Sequence, residues 1–176
     1  VVVVSSGDPG VFAMASAVFE AVEQGEPAWR DLDIHVLPGI TAMLAASAAC
    51  GAPLGHDFCA INLSDNLKPW QLIDKRLRLA AEADFAMAFY NPRSKSRPEG
   101  FEKALITLKE SCGDNRPMIF ARNVSRPDQT IKIVPLKETT PDMADMRTVV
   151  LLGSSQTRII ERDGTPIVYT PRSVDG

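Results

Sequence analysis

Twice in about its first fifty residues the chain runs through a short, wholly apolar stretch, stops at a turn rich in glycine and proline, and restarts as a helical stripe. Val1-Val2-Val3-Val4 ends at Ser5-Ser6-Gly7-Asp8-Pro9-Gly10, after which Val11, Ala15, Val18, Phe19 and Val22 fall on one helical face. Ile34 to Leu37 ends at Pro38-Gly39, and a small-residue helix follows from about Thr41 to Cys50. A strand with apolar residues on both faces needs cover on both faces, which parallel strands receive from the helices that connect them. The pattern therefore predicts an α/β fold in which these two runs are buried strands of a parallel sheet. Because the chain opens directly on the first run, with neither initiator methionine nor leader, the expectation is a first domain truncated at its N-terminus.

Gly51-Ala52-Pro53-Leu54-Gly55 holds two glycines and a proline, and predicts a link between two units, residues 1–54 and residues 55–176. In the second unit Phe58 to Leu63, Phe85 to Tyr90, Met118 to Ala121, Ile131 with Ile133, Val149 to Leu152 and Ile167 to Tyr169 read as strands. Pro69 to Ala81 and Glu99 to Ser111 read as helices, the first striped by Trp70, Ile73, Leu77 and Ala80, the second by Phe101, Leu105 and Leu108. Strands outnumber helices toward the end, so the second unit should contain a mixed sheet.

Composition removes several classes of function. A chain of 176 residues buries enough surface to fold without disulfides or metal. A net charge of −3 and a pI near 5.4 argue against a nucleic-acid surface driven by bulk charge. No apolar run approaches the ~20 residues of a membrane span. Cys50, Cys59 and Cys112 are too few and too scattered for a disulfide framework or a zinc site, and neither His35 nor His56 has a partner at metal-ligand spacing. The expected protein is cytoplasmic and metal-free.

What remains points to loops at strand ends. In an open α/β sheet, ligands bind beyond the carboxyl ends of the strands, where glycines admit the ligand to the backbone and helix starts present N–H groups. Ser5 to Gly10 and Pro38 to Thr41 both have that placement. Asp8 is suited to accept from a ligand hydroxyl or amine, or to close its own turn; Thr41 is suited to the ligand or to capping its helix. No Lys-Ser/Thr follows the glycines, so this is not a phosphate loop. Past the Phe89-Tyr90-Asn91-Pro92 strand end, Arg93, Lys95 and Arg97 recur at every second residue, a spacing that suits a polycarboxylate or phosphate ligand, or an ordinary solvated loop. Arg122 and Arg126 bracket Asn123-Val124-Ser125 after the next strand and are placed to face the same crevice. His56 serves as a candidate general base or as a hinge residue.

These motifs carry a resemblance. Ser5-Ser6-Gly7-Asp8-Pro9-Gly10-Val11, Leu37-Pro38-Gly39-Ile40-Thr41-Ala42 and Gly51-Ala52-Pro53-Leu54-Gly55-His56-Asp57-Phe58 resemble, in order and spacing, the tetrapyrrole (corrin/porphyrin) methylase family. Phe89-Tyr90-Asn91-Pro92-Arg93-Ser94-Lys95-Ser96-Arg97 with Ala121-Arg122-Asn123 is similar to those members that methylate C17 of a precorrin in cobalamin biosynthesis.

The resemblance implies an S-adenosylmethionine-dependent enzyme of two αβα domains with the cofactor between them, and a homodimer. It places cofactor contacts on Gly7, Asp8, Val11, Thr41, Ala42, Asn91 and Val124, although the family often has methionine and glycine at the last two positions. It also implies a strand and a Gly-Pro-Gly loop ahead of Val1. The carboxylates of a precorrin would meet Arg93, Lys95, Arg97, Arg122 and Arg126. Methylation with ring contraction calls for acid–base help, for which His56, Asp57 and Asp65 are the candidates. Two alternatives stand beside this reading: methylation at another carbon of the macrocycle, and a truncated tetrapyrrole-binding module without turnover.

Overall fold

The computed structural model describes residues 1–94 and 98–173. Its centre is a five-stranded mixed sheet in the order β2–β3–β6–β4–β5, formed by β2 (Phe58–Asn62), β3 (Ala86–Tyr90), β4 (Pro117–Arg122), β5 (Thr130–Pro135) and β6 (Thr148–Leu152). β2 and β3 run parallel, whereas β6 inserts between β3 and β4 antiparallel to both, and β5 closes the edge antiparallel to β4. The carboxyl ends of β2, β3 and β4 and the amino end of β6 therefore meet along one rim. A smaller mixed sheet has the order β1–β8–β7, from β1 (Gly51–Ala52), β7 (Arg158–Ile160) and β8 (Ile167–Tyr169).

The alternation of side chains along the central strands divides the core in two. Met87, Phe89, Met118, Phe120, Val150 and Leu152 face helices α3 (Trp70–Glu82) and α4 (Gly100–Ser111). Those helices answer with Ile73, Leu77, Ala80 and Ala81, and with Phe101, Ala104, Leu105 and Leu108, each set at helical spacing. Ala88, Ile119, Ala121, Val149 and Leu151 face the other way, onto Ala46 and Cys50 of α2 (Ala42–Cys50) and Val168 of β8. Alanines under the helix let α2 lie close to the sheet. Its last residue passes straight into β1, a reversal carried by Gly51 at φ 131, where an added Cβ would lie 2.3 Å from the Val168 carbonyl oxygen.

The mixed sheet and the elements predicted within residues 58–152 agree with the sequence reading. The two early apolar runs do not. Val1–Val4 and Ile34–Leu37 form no strand, and their side chains are mostly exposed, Leu37 to 76%. A strand exists only where a neighbour completes its ladder, and none does so for either run among the described residues. α1 (Met14–Gln24) forms as its stripe predicts, but none of its residues is buried. Ala46, Ser47 and Cys50 of the small-residue helix α2 are buried, Ala46 and Cys50 against the chain's own sheet. Burial pushes the Cys50 thiol up to about 11 and raises those of Cys59 and Cys112, so none is a poised nucleophile.

Candidate active site

A cleft of about 910 Å³ opens on the rim where the carboxyl ends of β3 and β4 meet the amino end of β6. One wall comes from the first turn and the start of α2, the other from the ends of the three strands. Gly7, Asp8, Val11, Thr41, Ala42, Asn91 and Val124, scattered over more than a hundred positions, all line it.

Asp8 ties the two glycine turns together. One carboxylate oxygen accepts the Gly10 N–H at 2.8 Å, and the other accepts the Gly39 N–H at 3.0 Å. Those two amides, Gly39's first, hold the carboxyl below its ordinary range. Gly39 sits so close to Gly7 that a Cβ on it would stand 2.1 Å from the Gly7 carbonyl oxygen. Gly7 itself turns at φ 76. The apposition leaves bare backbone facing the cleft.

The sign of the Asp8 shift sets a pH dependence. A carboxyl whose folded pKa is lowered contributes stability above its unfolded pKa, and that contribution is lost as pH falls through the folded value. Asp8→Ala is expected to release the Gly39 amide at neutral pH, because no carboxylate oxygen is left to accept it. Amide exchange at Gly39 should be faster in the variant, whereas in the unmodified protein protection should fade only in acid. Equal protection in both proteins at neutral pH would remove Asp8 from this role.

Thr41 precedes the first residue of α2 but makes no capping bond to its own helix. Its buried hydroxyl pairs with the Tyr90 hydroxyl, which in turn accepts the Met43 N–H at 3.0 Å. Tyr90, at the end of β3, thus caps α2 from across the cleft, with Phe12 tilted against its ring at 5.0 Å between centroids. Asn91 and Asn123 follow β3 and β4 directly, both at φ 51, a left-handed conformation that asparagine tolerates. Asn91 donates its amide to Asn62 at 3.2 Å, and Asn123 donates to Asp128 at 2.6 Å.

The expected cations divide. Arg126 lines the cleft; Arg122 does not, because its guanidinium donates to Asp145 at 2.8 Å. Arg93 is outside the lining, near enough to Asp142 to help lower that carboxyl, though less than the Thr140 hydroxyl does. Lys95 and Arg97 lie outside the described residues. Arg147, which spacing gave no reason to choose, lines the cleft beside Arg126. Neither Arg126 nor Arg147 has an ion-pair partner among the described residues, whereas Arg78, Arg116 and Arg122 are each neutralised by a carboxylate.

His56 and Asp57 stand 3.8 Å apart ahead of β2, at the end of the parallel strands opposite the cleft, a strand length of about 17 Å away. Asp65 is exposed on the loop after β2 and does not line the cleft. Among the described residues no cluster of His, Cys, Asp or Glu is arranged to hold a metal, and no helix is long and apolar enough to cross a membrane.

Residues 1–140 match the model of the tetrapyrrole (corrin/porphyrin) methylases. The chain is 55% identical over 177 residues to a precorrin-3B C(17)-methyltransferase of Sinorhizobium sp., covering 100% of this chain and 70% of that one. It is 37% identical over 172 residues to a probable cobalt-factor III C(17)-methyltransferase of Salmonella typhimurium, covering 98% and 68%. The crystal structure of the methyltransferase CobJ superimposes with a TM-score of 0.89 at 63% identity, over 95% of this chain and 68% of that one.

Proposed function

The chain belongs to the tetrapyrrole methylases, and from that premise we propose that it transfers a methyl group from S-adenosylmethionine to C17 of precorrin-3B, with ring contraction, in cobalamin biosynthesis. The observation that carries the reading is the 55% identity spanning all of the chain to a protein named for that reaction. The residues of the cleft fit the cofactor. Backbone turns, hydroxyls and asparagine amides supply neutral donors and acceptors suited to a nucleoside and an amino acid, and the volume is that of an ordinary ligand pocket.

The bound sulfonium supplies an already activated methyl, so the protein's part is alignment more than nucleophilic attack. Asp8, Gly7 and Gly39 fix the shape of one wall, and Thr41, Ala42, Asn91 and Val124 complete the cofactor surface. Arg126 and Arg147, which have no ion-pair partner among the described residues, receive substrate carboxylates, with Arg93, Lys95 and Arg97 as further expected contacts; Arg122, expected to join them, is held by Asp145 instead. No acid–base group is assigned to the contraction: His56 and Asp57 lie at the far end of β2, and Asp65 outside the cleft lining. The proposal includes a cytoplasmic homodimer and a division at residues 54 and 55, with α2 and β1 docked on the second unit's strands.

A cobalt-bearing substrate is the second reading, favoured by the 37% identity to the probable cobalt-factor III enzyme. Calorimetric titration with S-adenosylhomocysteine tests the cofactor surface, with saturable binding expected at one site per chain. Absence of binding contradicts it. Turnover of metal-free against cobalt-containing substrate then separates the two readings.

A further inference from the structure

We propose that Tyr90 is a positioning residue that turns the Thr41 hydroxyl proton into the cleft as a hydrogen-bond donor to the cofactor. The inference rests on the cofactor reading above and extends it to a residue on the opposite wall.

The Met43 amide can only donate, so the 3.0 Å contact makes the Tyr90 oxygen an acceptor there. The Tyr90 and Thr41 hydroxyls bond to each other, and one of them must donate. A phenol hydroxyl is the stronger donor and the poorer acceptor of the two, since its oxygen lone pair is delocalised into the ring. The bond it accepts from Met43 polarises its O–H further. Tyr90 therefore donates to Thr41, and the Thr41 proton is left pointing elsewhere. It is not used on its own helix, since Thr41 makes no side-chain capping bond. Both residues line the cleft, and Thr41 stands at the amino end of a nine-residue helix, where the backbone dipole favours an electron-rich partner. The chain Met43 N–H, Tyr90 O–H, Thr41 O–H ends as a fixed donor, which selects a ligand atom that accepts. It also makes recognition at α2 depend on β3, so the two walls read the cofactor together.

The test combines two binding series with one measurement on the unliganded protein. Tyr90→Phe keeps the ring and its contact with Phe12 but removes the relay, and Thr41→Val removes the terminal donor. Each is expected to weaken S-adenosylhomocysteine by about three- to tenfold, the value of one hydrogen bond, and the double variant should lose no more than either alone. In unliganded Tyr90→Phe, exchange at the Met43 amide should accelerate, because its acceptor is gone. Additive losses, an unchanged affinity in Tyr90→Phe or in Thr41→Val, or an unchanged Met43 exchange rate would each overturn the inference while the unmodified protein still binds. If the unmodified protein binds no S-adenosylhomocysteine, the cofactor reading falls, and the inference with it.

Discussion

Gly39→Ala is expected to weaken S-adenosylhomocysteine binding by about ten- to hundredfold, corresponding to roughly 1–3 kcal/mol of overpacking strain. The added methyl would stand 2.1 Å from the Gly7 carbonyl oxygen and 3.0 Å from its carbon. Both are backbone atoms, so no rotamer change relieves the contact and the two turns must move apart. Separation stretches the 3.0 Å bond from the Gly39 amide to Asp8 and widens the wall that both turns form. The unliganded protein can accept that widening because these turns are largely exposed. The strain therefore appears mainly when a ligand needs the narrow form. Gly113→Ala is the control, since a Cβ there meets nothing within 4 Å. Equal affinities for the two variants would mean that the Gly7–Gly39 contact does not shape the site.

Replacing Arg126 and Arg147 together by Gln is expected to raise KM for the precorrin by about tenfold or more, and to flatten its rise with salt. Both residues line the cleft, and neither has an ion-pair partner among the described residues, so their charge is available to an anionic ligand. Cofactor affinity should change little, because a positively charged sulfonium gains nothing from two cations. Arg122→Gln provides the contrast: its charge is already neutralised by Asp145 at 2.8 Å, and the salt dependence should survive its loss. A double variant that keeps the substrate and loses the cofactor would reverse the assignment of the two surfaces.

Much of the stretch from residue 58 to residue 152 was legible because its signals are local. Helical stripes in α3 and α4, and apolar runs in β3, β4 and β6, report burial directly, and the structure places those elements within a residue or two of the expected bounds. Val1–Val4 and Ile34–Leu37 carry the same composition and form no strand, since a ladder is a property of two segments and periodicity reads only one. β7, exposed throughout and three residues long, gives no periodic signal at all. At the cleft, the glycine turns are visible in sequence because they punctuate it. Arg147 is not, because an isolated charge between Met146 and Thr148 gains meaning only when β6 inserts between β3 and β4. Spacing also cannot distinguish Arg122 from Arg126; Asp145, more than twenty residues later, decides which of them is neutralised. Thr41 shows the limit of propensity: a residue well suited to cap its helix gives that task to Tyr90.

The position that receives the methyl group defines the reaction. The direct measurement is NMR of the product formed when the protein acts on precorrin-3B with S-adenosylmethionine labelled with ¹³C at the methyl. The account predicts a single labelled methyl at C17 of a contracted macrocycle. A labelled methyl at any other carbon, or no transfer by protein that binds both ligands, would contradict it.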